Sequence, residues 1–413
     1  MKRFLFATFV LIAALLTTEC KAQYNEIKSS NIASLQIVAG TDWLSMPVIN
    51  LYGNDPINIA FDDLTHEYHR YVYRLQHCEA DWSVSDEIFE SDYCEGFADG
   101  NTIDDVEESL YTNTLYTHYK FSIPNNNCKL KMSGNYKVTV YDENSGDTIF
   151  TACFLATERI VTTSMSVSTN TDIDTNKQHQ QIAAEINYQA LSVTNPDNEI
   201  YTVILQNGRW DTARKNVPYQ YNTGTGLRWE HNRALIFNGG NEYHKFEILD
   251  VGHPTLGIES VGWDGENYHA QIWTDLPRPS YVYDEDANGS FYIRNSDNIE
   301  NDRISEYVIV HFRLQAPRQN GKVYLNGVWT NDRFIPKYEM TYNELTKLYE
   351  ADVMLKQGYY SYQYLTVDED GSIRPVTTEG NFFQTENKYQ MFTYYKGIGQ
   401  RTFRLVGYSQ TRI

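Results

Sequence analysis

The sequence predicts an all-β protein of tandem β-sandwich domains, immunoglobulin-like or early-set-like, three in a row. Three observations predict it. Tyr, present 33 times, recurs with Thr and Val in short alternating runs, the pattern of half-buried strands. Turn signals rich in Gly, Asn and Asp separate those runs. Helical periodicity is missing, apart from short segments such as Tyr342 to Leu348.

The chain opens with Lys2 and Arg3, an apolar run from Phe4 to Leu16, and Cys20-Lys21-Ala22 before Gln23. A short positive region, an apolar stretch too short to span a bilayer and a small residue at the cut describe a cleavable signal peptide over 1–22. The competing reading is acylation of Cys20, but Glu19 stands where a lipobox wants a small residue. No later stretch approaches the ~20 apolar residues of a membrane-spanning helix, so an exported, soluble mature chain is expected.

The first domain is expected over 23–157. Its clearest strand is Arg70 to Cys78, where Tyr71, Tyr73, Leu75 and His77 alternate with Val72, Arg74, Gln76 and Cys78. A long acidic stretch from Asp86 to Thr117 reads as an ordered excursion. The strand Asn135 to Tyr141, the turn Asp142-Glu143-Asn144-Ser145-Gly146 and the strand Thr148 to Leu155 form a hairpin. The second domain, 158–280, begins with the alternation of Ser164, Ser166 and Ser168 with Met165 and Val167, and includes the strand Ile200 to Gln206. A connector over 281–304 starts with the run Tyr281 to Ser290. The third domain, 305–413, holds strands at Ser305 to Gln315, Lys322 to Leu325, Tyr349 to Leu355 and Tyr359 to Val367. Short strands with turns between them build sandwiches.

Charge narrows the class of partner. The chain has 34 Lys+Arg against 54 Asp+Glu; removing residues 1–22 leaves 31 against 53, a net charge of −22. Such a surface repels DNA and anionic lipid. The 41% hydrophobic content and the tyrosines supply enough apolar surface for a core, which disordered acidic chains lack.

Four cysteines survive processing: Cys78, Cys94, Cys128 and Cys153. An even count in an oxidising compartment points to disulfides, with three possible connectivities. The sequence does not choose among them; nearest-neighbour pairing, Cys78–Cys94 and Cys128–Cys153, is the working expectation. No C-x₂-C spacing supports zinc.

Several patterns imitate chemistry. His66-Glu67-Tyr68-His69 has its histidines three apart rather than the four that put both on one helical face, and it runs into a strand. Asp284-Glu285-Asp286-Ala287-Asn288-Gly289 reproduces the first half of a calcium loop, with Asp284, Asp286 and Asn288 as candidate ligands. The twelfth position, which should be a bidentate Glu, is Asn295. An Asx-rich turn between domains is the favoured alternative. Asp368-Glu369-Asp370-Gly371 reads as a hairpin turn. Asp104-Asp105 and Glu107-Glu108 read as a solvated acidic face rather than paired catalytic carboxylates. No nucleophile elbow, phosphate-binding loop or dinucleotide fingerprint occurs, so neither an enzyme nor a cofactor is expected. Tyr359, Tyr360, Tyr362 and Tyr364 put aromatics on both faces of one strand, one to pack inward and the other to meet a partner or a glycan.

These residues also carry a resemblance. FDDLTHEYHRYVYRLQHCEADW (61–82), EGFADG and YTNTLYTHYKFSIPN within 91–125, SGNYKVTVYDEN (133–144), GGNEY (239–243), NGSFYIRN (288–295), YVIVHFRL (307–314), and GYYSYQYLTVDEDGS with TEGNFFQTENKY (358–389) resemble, in order and spacing, the type IX secretion system plug proteins of the Bacteroidetes. The resemblance spans nearly all of the mature chain. It implies a periplasmic protein of β-sandwich domains, attached to the outer membrane only through a protein partner. That partner is the outer-membrane β-barrel translocon of the type IX secretion system, whose periplasmic mouth the family stops when no cargo occupies it. It supplies no catalytic residues and no docking surface.

The segment Val323-Tyr324-Leu325-Asn326-Gly327-Val328-Trp329-Thr330-Asn331 further resembles early-set glycogen-binding modules. There a Trp just after the last Asn stacks on sugar; here Asp332 takes that place, and Trp329 stands where a core Phe is usual. The alternative function is therefore periplasmic glycan binding by the third domain. A third possibility, that the protein is itself secretion cargo, ranks last because its tail from Gly399 to Ile413 is unlike that system's sorting domains.

Overall fold

The structure, a computed structural model, describes residues 25–413. The leader over 1–22 and Cys20 lie outside the described residues. Among them no helix is long and apolar enough to cross a membrane.

The chain is all-β. Its first block packs two sheets face to face. One has the order Glu26–Ile27, Thr148–Thr157, Gly134–Asp142, Tyr71–Cys78, Asn101–Thr102, with Val48–Asn50 alongside Thr148–Thr157. The other runs Ile32–Ala39, Ile57–Asp63, Thr117–Ile123, Asp105–Glu108. Inward residues of both sheets meet: Phe61 stacks on Tyr119 at 5.2 Å between centroids and sets its edge on Phe150 at 4.8 Å. Buried aromatics at such spacings add roughly 0.5–1.5 kcal/mol beyond their area. The acidic excursion is ordered, carrying the short helix Glu90–Tyr93 and the strands Cys94–Gly96, Asn101–Thr102 and Asp105–Glu108.

The middle block pairs two further sheets. One is ordered Thr162–Ser168, His179–Asn187, Gly226–Trp229, Tyr221–Asn222, with Ile236–Asn238 also on His179–Asn187. The other is ordered Arg209–Lys215, Ile200–Gln206, Lys388–Tyr395, Arg404–Arg412. The last two strands come from the C-terminus. The expected boundaries of 158–280 and 305–413 therefore do not follow the sheets: residues 388–412 close the middle block, with Ile200 opposite Tyr395 and Gln206 opposite Tyr389. The reason is apolar burial. Tyr389 and Met391 are buried in one cluster with Ile182, Ile186, Leu227 and Ile204.

The third block is a ten-stranded sheet ordered His244–Ile248, Gly358–Val367, Lys322–Asn326, Glu339–Asn343, Leu348–Lys356, Tyr307–Gln315, Tyr268–Ile272, Ile258–Trp263, with Phe291–Ile293 and Ile373–Pro375 flanking Gly358–Val367. It curls until Phe246, from one end strand, sits 5.6 Å from Phe312 across the core. Four strands expected in the second domain or the connector, His244–Ile248, Ile258–Trp263, Tyr268–Ile272 and Phe291–Ile293, belong to this sheet. The segment Tyr342 to Leu348 is a strand end and turn, not a helix. Tyr342 faces Tyr349 across the hairpin, rings 4.9 Å apart.

Each block meets both others. First and middle share Cys78, Trp82, Leu205, Trp210, Phe392 and Tyr394 in one buried cluster, with Trp82 edge-on to Trp210 at 5.3 Å. First and third meet at Asp62, whose Oδ2 accepts from Lys356 Nζ at 2.7 Å and from the Tyr307 hydroxyl at 2.6 Å. Middle and third meet at a cavity lined by Arg209 and Trp210 of the middle block and by Asn326 and Asp332 of the third.

Candidate docking surface

The residues that imitated chemistry are engaged otherwise. His69 Nδ1 lies 3.2 Å from Asp142 Oδ2, in a turn before the strand Tyr71–Cys78. In the calcium-like segment, Lys245 Nζ meets Asp284 Oδ1 at 2.6 Å. Asp286 accepts the backbone N–H of Asn288 on Oδ1 at 2.5 Å and that of Tyr243 on Oδ2. Asn295, at the twelfth position, holds its own turn by donating to the Ile299 carbonyl at 2.9 Å. A lysine and backbone amides thus engage these oxygens, with the Asn288 N–H closing an Asx turn on Asp286. Burial pushes the Asp286 carboxyl up to about 7. Asp104, Asp105 and Glu108 lie exposed at or beside the edge strand Asp105–Glu108, where charge blunts edge-to-edge pairing.

The nearest-neighbour cysteine pairing is also corrected. Cys94 and Cys128 come together, with sulfurs 3.3 Å apart, because Cys94–Gly96 pairs with Cys128–Leu130. Cys78 and Cys153 lie on strands that flank Gly134–Asp142, opposite Asn135 and Lys137.

The tyrosine strand packs inward with Tyr360, Tyr362 and Tyr364, all buried. Tyr359 turns the other way, to Trp43 of the first block at 5.9 Å. Trp329 is buried, stacks on Phe312 and donates to the Ser361 carbonyl at 3.0 Å. Asp332 lines a cavity of about 120 Å³ where the three blocks meet, with Trp43, Met46, Arg209, Trp210 and Asn326. Burial and Asp211 push its carboxyl up to about 6 against the pull of Arg209. The face on which an early-set module would stack sugar is thus covered by the other two blocks.

Exposed aromatics gather instead at the open edge of the ten-stranded sheet. Ile258–Trp263 is its outermost strand, paired only with Tyr268–Ile272. Trp263 is 48% exposed and its ring lies 4.7 Å from that of Tyr268. At the other end, Trp273 is 61% exposed, its backbone N–H donating to the Gly257 carbonyl at 3.1 Å. The hairpin tip is braced by Asp264, whose carboxyl the backbone N–H groups of Asn267 and Glu266 hold at about 2. A first-block loop docks on this tip: Asn113 Nδ2 donates to the Glu266 carbonyl at 2.7 Å, and Thr114 N–H donates to Glu306 Oε1 at 3.0 Å. That loop presents Tyr111, 98% exposed, and Leu115. Glu259, Asp264 and Glu266 of the same hairpin are also exposed, so this edge presents aromatic and polar side chains together, as protein interfaces do. The sequence held a signal for this hairpin in Trp263-Asp264-Gly265-Glu266-Asn267-Tyr268, an Asp-Gly turn between aromatics.

Comparison with known proteins follows the same line. Residues 32–158 match the family described as type 9 secretion system plug protein, first domain. A crystal structure of a hypothetical protein from Parabacteroides merdae ATCC 43184 is 38% identical, with TM-score 0.91 over 95% of this chain and 100% of that one. The C-terminal domain of the Streptococcus pyogenes antigen I/II-family protein AspA is 8% identical over 93% of this chain and 100% of that one; its TM-score of 0.18 carries no argument. No curated protein matches.

Proposed function

Because the chain belongs to the type 9 secretion system plug protein family, we propose that it is a non-enzymatic periplasmic stopper that docks on the outer-membrane translocon barrel and closes its periplasmic mouth. The family match over 32–158 is the observation that carries this reading. Physics supports it. A barrel wide enough for folded cargo also passes small solutes, so an idle channel needs a broad, stiff and removable cover. Three blocks that each contact the other two supply stiffness. The aromatic edge at Trp263, Trp273 and Tyr111 supplies anchors, and an interface of about 1,600 Å² with a polar rim holds yet releases. The glycan alternative loses ground because Trp329 is core and Asp332 faces the block junction.

The test is uptake of a normally excluded antibiotic or dye by wild-type cells, cells lacking this protein, and cells lacking both it and the translocon. Leakage only in the single deletion is expected. A single deletion as tight as wild type would remove the stopper reading, and equal leakage without the translocon would assign the protein another role in the envelope.

A further inference from the structure

We infer that Cys94 and Cys128 are joined by a disulfide in the exported protein. The antiparallel strands Cys94–Gly96 and Cys128–Leu130 form a two-stranded sheet of their own, with Gly96 opposite Cys128 and Cys94 opposite Leu130. The two sulfurs face each other at 3.3 Å, so closing to the ~2.05 Å of a disulfide needs an approach of about 1.3 Å. The strands come this close because residue 96 is a glycine. It has φ of +102°, and a Cβ there would lie 2.1 Å from the Asn127 carbonyl oxygen. Asn125 Oδ1 accepts the Cys128 N–H at 3.0 Å, and Asn125 Nδ2 donates to the Tyr73 hydroxyl at 2.7 Å. The pair is therefore held in register from both strands.

The other two cysteines are not arranged this way. Cys78 and Cys153 occupy strands on either side of Gly134–Asp142, separated by two strand spacings of about 4.8 Å each. That exceeds the ~7 Å Cα separation beyond which a bridge cannot close without backbone movement.

The chemistry is thiol–disulfide exchange. The thiolate of one cysteine displaces one sulfur of an oxidant disulfide, either an oxidoreductase or an oxidised small thiol. The other cysteine, losing its proton, then attacks the protein-bound sulfur of that mixed disulfide and releases the second oxidant thiol. Two protein thiols are oxidised and one oxidant disulfide is reduced to two thiols. Cys94 and Cys128 are 4% and 0% exposed in the fold, so the exchange precedes closure of the core around Tyr73 and Tyr93. The bridge closes the segment that carries the 109–116 loop, which Asn113 and Thr114 hold to the third block at Glu266 and Glu306.

The experiment is peptide mapping of the mature protein, denatured without reductant in the presence of N-ethylmaleimide. One sample is isolated from its native cells and another is refolded in oxidised and reduced glutathione. The expected product in both is a Cys94 peptide linked to a Cys128 peptide, absent when Cys94→Ser or Cys128→Ser is mapped. Alkylated Cys94 and Cys128 in both samples overturn the geometric argument, as does either residue linked to Cys78 or Cys153. A link in refolded protein with alkylated thiols in native protein overturns the inference as physiology and places the failure in the export reading on which it rests.

Discussion

Asp62 shows what a single buried charge does at a block junction. It is fully buried, and burial alone would raise its carboxyl; Lys356 and His118 instead hold it below the usual carboxylate range. Lys356 also donates to the Asp302 carbonyl at 2.7 Å and sits 4.0 Å from the centroid of the Tyr116 ring. Removing one partner of such a pair leaves an uncompensated charge. Lys356→Met should cost about 3–5 kcal/mol in urea unfolding, and Asp62→Leu added to it should restore much of the loss. His244 makes a second test. Burial disfavours its charge, but Asp275 and Glu379, 2.9 Å from its two ring nitrogens, raise it to about 9. A folded value above the unfolded one, near 6.5, gives stability that is complete below pH ~6.5 and lost as pH rises through 9. The advantage of wild type over His244→Gln in urea midpoint should therefore be full at pH 6 and gone by pH 10. A pH-independent difference would mean that His244 stabilises by packing on Tyr362 rather than by charge.

At the scale of the element, the C-terminal hairpin matters most. Lys388–Tyr395 pairs with Ile200–Gln206 along its whole length and with Arg404–Arg412 on its other side. Between them these strands bury Tyr389, Met391, Phe392, Tyr394, Leu405 and Val406. At about 1.5–3 kcal/mol for each large apolar side chain, their loss is comparable to the ~5–15 kcal/mol that stabilises a whole domain. Truncation after Asn387 should therefore unfold the middle block and expose the Ile200–Gln206 edge. The expected outcome is an aggregating or protease-sensitive product. A truncated chain that keeps the wild-type melting profile would show that the hairpin is dispensable. Conservative substitution on the exposed strand Asp105–Glu108, by contrast, should change stability by no more than about 0.5 kcal/mol.

At the scale of the whole molecule, three mutual junctions leave no block free to swing without breaking a buried cluster or an ion pair. A cover that presents one shape suits a partner with one rim. If the edge of the ten-stranded sheet is the docking face, Trp263→Ser together with Trp273→Ser should lower translocon capture by more than tenfold, since interface Trp residues cost about 2 kcal/mol or more when truncated. Unfolding should barely change, because both rings are exposed. Undiminished capture would move the interface elsewhere on the molecule. The excess of acid over base, 54 to 34 in the full chain, further predicts association that weakens as salt is raised.

The sequence by itself determined the all-β class, the strands with the clearest alternation and the family. Alternation over Tyr71–Cys78, Ile200–Gln206 and Tyr307–Gln315 is a local signal, written in which side chains must point inward at a period of two. It also carried the turn chemistry at Asp284 to Gly289 and the solvated character of the acids at 104–108. It did not carry partnership. Which strand lies beside Ile200–Gln206 is decided nearly 190 residues away, at Lys388–Tyr395. Which cysteine meets Cys94 is decided by Gly96 and the fold of the excursion, not by distance along the chain. Whether Trp263, Trp273 or Trp329 is an anchor or a core residue depends on which sheet faces the other blocks cover. Those outcomes belong to the tertiary structure because burial is settled by all three blocks at once, and a residue's own neighbours in sequence cannot register it.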